Sequence, residues 1–275
     1  MEDILNNPAA QGGIIPFIAA FMTSLLLVRI WRLYGFAVLI ALLSMVALTT
    51  GIQFDPLTST RKIVLLAIFA PFVGIALEYL HPAKRIHRGV AVVFGVAAPL
   101  WLLWPYLMRQ ETLPMISIGG GMVVFSLWMT LGFVSLKQVS SLAGMSALSA
   151  AGFGVGGAAL LGASAFLGQM GISIGVGGLA VISTLLLSHH NSNARFIELL
   201  FAGVVISLIG VAAVIYASMP WYVLIVLATI PILARIGLAN DQAPWLRAVI
   251  WFGFCMVPAL VAIGLSWKAA GSVPF

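Results

Sequence analysis

Ten apolar runs, each about 18 to 25 residues long, constrain this chain more than any motif in it. A helix needs roughly 20 apolar residues to cross a hydrocarbon core of about 30 Å, so runs of this length read as membrane spans. They lie near 12–31, 34–52, 62–80, 89–107, 115–136, 141–167, 171–188, 196–217, 220–238 and 246–268. Composition leaves no soluble alternative. The chain is 62% hydrophobic and 7% charged, where a soluble domain carries about 25% charged residues. Its mean hydropathy is +1.16. The expected fold class is all-α, a polytopic helical membrane protein of about ten transmembrane helices in a single domain over 1–275. The sixth and seventh spans are divided only by Gln169, within one glycine-rich run.

Basic residues in short loops set the orientation of such a bundle. With the amino terminus outside, the inward loops hold Arg29, Arg32, Lys84, Arg85, Arg88, Lys137, Arg195, Arg235 and Arg247, which is nine. The outward side holds Arg61, Lys62, Arg109 and Lys268, which is four. Both termini are therefore expected outside the cytoplasm, in a multi-pass protein of a bacterial inner membrane. The start, MEDILNNPAAQGG, has no basic n-region and does not read as a secretory signal. The net charge of +6 is accounted for by these loops, so nucleic acid is not an expected partner and the lipid bilayer is. The single cysteine, Cys255, excludes a disulfide within the chain and a cysteine-built metal cluster.

The most polar island of the second half is LLLSHHNSNARFIELL, residues 185–200. Adjacent His189 and His190 on a loop do not converge on one metal ion as ligands from several elements would. His81 and His87 fall in another inward loop, and no histidine pair inside a span has a haem-ligating spacing. No Gly-rich loop with lysine offers a nucleotide site. Gly162-Ala163-Ser164 resembles the serine turn of rhomboid-type intramembrane proteases, but the nearest histidine downstream, His189, lies toward the other membrane face. No cofactor, metal or catalytic set is expected.

TSLLLVRIWRLYGFAVLIA, residues 23–41, aligns without gaps on STLLLSHHNSNARFIELLF, residues 183–201. At the same offset of 160, Pro71 falls on Pro231, and at 159 Arg88 and Pro99 fall on Arg247 and Pro258. This pattern gives a parallel internal repeat, helices one to four over 12–107 and seven to ten over 171–268, around an insert at 115–167. Glu78, Glu198 and Arg235 stand against leucine, valine and isoleucine in the aligned copy. They are candidate proton-handling or ion-pair residues, together with Arg195. All four fall near the inward face, where long side chains can also snorkel to headgroups. If helices three, eight and nine meet, Arg235 is expected to pair with Glu198 or Glu78.

Residues 151–178 carry ten of the 28 glycines. Gly154, Ala158 and Gly162 lie four apart, as do Gly171 and Gly175, a spacing that lets membrane helices pack closely. The alternative is an unwound helix whose freed carbonyls hold an ion or substrate.

The turn HNSNARFIELL, followed by a helix bearing Glu198, resembles the K-subunit of complex I and the E-type membrane subunit of energy-converting hydrogenases. TSLLLVRIWRLYGF is similar to the first unit of the E-type subunit. That resemblance implies a non-catalytic membrane subunit of a proton- or ion-translocating redox complex, with other membrane subunits as partners. It implies Glu198 as the proton-handling acid and Arg195 as its loop partner. The chain departs from the family in its glycine-rich insert and in placing both acids near one face. From the residues alone, a secondary transporter of a small neutral substrate stays open, with Pro71, Pro99, Pro231 and Pro258 as helix breaks, and so does an orphan membrane scaffold.

Overall fold

The computed structural model describes residues 7–30, 33–80, 83–188, 193–236 and 243–271. His81, Arg32 and the island residues His189, His190, Asn191 and Ser192 lie outside them, as does the side chain of Arg29. The chain runs α1 (Ile15–Ile30, entered through a π-helical turn Ala10–Ile14), α2 (Tyr34–Thr49), α3 (Ser59–Leu80), α4 (Lys84–Leu107) and α5 (Thr112–Val134). It continues as α6 (Ser141–Leu161), α7 (Ala165–Leu187), α8 (Phe196–Tyr216), α9 (Trp221–Leu227), α10 (Ile230–Leu233) and α11 (Pro244–Ala270). Eight helices among the described residues are long and apolar enough to cross a membrane, with shorter apolar helices at Gly35–Thr49 and Trp221–Leu233. The protein is an all-α, polytopic, membrane-type bundle.

Burial grades from centre to rim. The spanning stretch of α8 is 83% buried and that of the first helix only 22%, so α8 is the axis around which the others pack. α3 and α5 lie along α8, α4 packs on α5, and α6 is clasped between α7 and α11. α1 and α2 pair and close over α7. There Ser24 and Thr184, equivalent positions of the two aligned segments, share a buried hydrogen bond of 2.5 Å.

Three boundaries differ from those expected from sequence. The turn between the sixth and seventh spans falls at Gly162–Ser164 rather than at Gln169, which lies inside α7. Ser164 explains this: its hydroxyl accepts from the Leu167 amide and caps α7, while Ala163 turns the chain at φ +71°. The start of α4 reaches further out than expected, at Lys84 rather than near 89, which places His87 inside a helix rather than in a loop. The ninth span is interrupted at Ala228–Thr229 between α9 and α10. Pro231 has no amide to give the Leu227 carbonyl, and the Trp128 indole takes the neighbouring Ala228 carbonyl at 3.0 Å. Pro71, Pro99 and Pro258, by contrast, sit in continuous helices and do not break them.

The glycine-rich run forms two unbroken helices. A Cβ at Gly171 would lie 2.5 Å from the Gly156 Cα, and one at Gly152 would lie 2.6 Å from the Gly175 nitrogen. α6 and α7 thus touch backbone to backbone. Gly175 also bears on the Phe153 ring. Gly154 serves a different face, against Ala259 of α11 and Leu227 of α9. Ala158 is fully buried, and Gly162 ends α6 against the Ala217 carbonyl.

Candidate functional site at the charged end of the bundle

α8 begins where its own sequence cannot cap it. Its N-cap residue is Arg195, whose side chain accepts no hydrogen bond from the helix. The first amides of a helix need an acceptor, and here it arrives from another helix. Glu78, near the end of α3, accepts from the Phe196 amide through Oε1 at 2.6 Å. Its Oε2 lies 3.7 Å from Nη1 of Arg195. One carboxylate therefore caps α8, sits at the positive end of its dipole and holds the cation beside it. The connection into α8 is anchored by the Ala194 amide on the Val139 carbonyl at 3.0 Å and by a bridge between Ser140 and Asn193.

Glu198 lies one residue-pair further into α8 and is 0% exposed. Neither of its carboxylate oxygens meets a side-chain donor, and the Arg195 backbone amide at the N-cap is the polar group that acts on it. It is sealed in because α2 and α3 press glycines onto this turn. A Cβ at Gly74 would lie 2.5 Å from the Ile197 Cα, and one at Gly35 would lie 3.3 Å from the Glu198 nitrogen. Glu78 and Arg195 are the charges that act on the carboxylate. Snorkelling does not describe it, since no path to water is left.

Phe196 forms the other wall. The His87 ring meets it edge-on at 4.6 Å, and the Lys137 ammonium lies 5.7 Å from its centroid. His87 Nε2 and Lys137 Nζ are 3.2 Å apart. Histidine, lysine, arginine and two carboxylates thus converge on the first turn of α8 from α3, α4 and the turn Ser135–Gln138.

The expected partnerships are therefore corrected. The Arg195 guanidinium forms its ion pair with Glu78, while its charge and backbone amide also act on Glu198. Arg235 pairs with neither acid; its guanidinium donates to the Ser135 hydroxyl on the exposed rim. α10 ends beside the turn after α5, where Ser135 takes the guanidinium. His87, Lys137, Gly35 and Gly74 belong to the site and were not singled out from sequence. The available signal was a histidine two residues before the expected start of the fourth span. Among the described residues no three His, Cys, Asp or Glu side chains gather where a metal could be held. Compared with models of protein families and with curated proteins, the chain matches none.

The cap gives a direct expectation. Glu78→Ala removes the Phe196 acceptor and the partner of Arg195, at a cost of about 1–3 kcal/mol for a charge-assisted bond. Glu78→Gln keeps an acceptor and should lose less than half of that. Thermal unfolding of the purified protein in detergent orders the two variants. Equal losses would mean that the cap contributes nothing.

Proposed function

We propose that the chain is a proton-handling, non-catalytic membrane subunit of a proton- or ion-translocating redox assembly in a bacterial inner membrane. The observation that carries this reading is Glu198, a fully buried carboxylate with no side-chain donor bonded to it. A buried ionised group is costly unless paired, and ionisable residues kept inside membrane bundles serve as ion or proton sites. Glu198 takes up or gives back a proton as the nearby ion pair of Glu78 and Arg195 tightens or loosens. His87 and Lys137 link this turn toward the aqueous edge. Every one of these groups lies at one end of the bundle, so the chain exchanges protons at one face and hands them to neighbouring subunits. A second reading, a secondary transporter, draws on the interrupted crossing α9–α10, because broken helices line substrate paths in that class.

The test uses the tagged full-length chain in its own membranes. Under the subunit reading it copurifies in mild detergent with redox-cofactor-bearing subunits. Glu198→Gln should leave that assembly intact and cut redox-driven proton movement in inverted vesicles at least tenfold. A chain that purifies alone, with proton movement unchanged in the variant, sinks the subunit reading and leaves the transporter.

A further inference from the structure

The interrupted crossing leaves a hollow on the side of the bundle away from Glu198. α9 and α10 together are shorter than α5, against which they stand, and between them lies a cavity of about 880 Å³. One wall is α5 from Ser117 to Trp128, and the other runs from Trp221 to Ile232. No charged residue lines it. Val124 at 66%, Trp221 at 62% and Ile225 at 58% exposed form its rim, on faces that none of the other described residues covers. The Trp128 indole, bonded to the Ala228 carbonyl, ties the two walls together at the helix break.

We propose that this groove holds one hydrocarbon tail of a membrane lipid. Three observations choose that occupant. One wall belongs to a helix long and apolar enough to cross a membrane, the other to a shorter apolar stretch, and the rim is apolar, so the mouth opens on hydrocarbon rather than on water. The stretch from Ser117 to Trp128 is eleven helical steps, about 16 Å at 1.5 Å each. One leaflet of a core roughly 30 Å thick is about 15 Å deep, so a single tail spans the groove. A partner transmembrane helix needs the full thickness and a channel about 10 Å across along all of it. The groove begins near the end of the bundle opposite Glu198, where α4 ends, α8 ends and α9 begins. The lipid is therefore one of that leaflet, with its headgroup at the level of Tyr106 and Trp221. The inference is independent of the proton reading.

Two neighbouring glycines separate groove from surface. Added Cβ atoms at Gly120 and at Gly121 each meet nothing within 4 Å, yet only Gly121 lines the groove. Gly121→Trp fills it and Gly120→Trp does not. The purified full-length protein in detergent is titrated with a phosphatidylcholine bearing a diazirine at the end of one acyl chain, then irradiated. Labelling should saturate at one probe per chain and map to α5 and α9–α10. Gly121→Trp should reduce it at least fivefold, with Gly120→Trp unchanged. Ile225→Trp, at an exposed position on the facing wall, blocks the groove independently should Gly121→Trp elute as aggregate. Labelling that never saturates and spreads over all lipid-facing helices overturns the proposal. So does wild-type labelling in a folded blocked variant, or purified protein whose groove is filled by a second copy.

Discussion

Gly171→Leu is expected to remove most of the folded protein from the membrane. The new side chain would start 2.5 Å from the Gly156 Cα and 2.6 Å from its nitrogen, and neither backbone atom can turn aside. α6 and α7 must then separate along their length, and α11 and α2 move with them because they pack on the outer faces of that pair. Overpacking a core costs about 1–3 kcal/mol when side chains can adjust and more when backbone must move. Gly264→Leu is the matched control, since a Cβ there meets nothing within 4 Å. Membrane abundance and the size-exclusion profile in detergent read the result. Equal abundance of the two variants would show that the close approach of α6 and α7 is not needed.

The second large effect lies between α3 and α4. Pro105 has no amide for the Trp101 carbonyl, its ordinary acceptor four residues back. Lys62 of α3 fills the gap: its ammonium donates to that carbonyl at 2.9 Å and lies 5.3 Å from the Trp101 ring. The side chain is nearly buried, at 7% exposed. Lys62→Met strands the carbonyl, at about 1–3 kcal/mol. Pro105→Ala returns an amide to the helix, so the double variant should regain most of the loss. Unfolding temperatures of the four proteins in detergent give the coupling, and strictly additive changes would refute it.

That pair also marks where reading the sequence reaches its limit. Run length and apolar content suffice to place the spans because crossing a bilayer demands both, whatever the neighbours do. The prolines were equally visible, yet only Pro231 lies at a break. What distinguishes Pro105 is a lysine 43 positions away that takes over as donor, and such supply is a tertiary matter. Glu198 was legible as an ionisable residue in an apolar stretch. Its isolation was not, because Gly35 and Gly74 close over it from two other helices. The partner of Arg195 was assigned to the same helix, whereas the geometry supplies Glu78 from α3. His87 and Lys137 read as topology markers, and only the fold brings them to one phenylalanine ring.

The crossing formed by α9 and α10 has a consequence for the membrane itself. Trp221–Leu233 has thirteen residues, about 20 Å of helix at 1.5 Å per residue, against a hydrocarbon core of about 30 Å. Directly against this crossing, the twenty-seven residues of Pro244–Ala270 exceed that thickness. A bilayer that meets the two side by side has to thin at the short pair or be met by tilt of the long helix. The mismatch is therefore local to two neighbouring helices, and it falls on the flank that carries the groove.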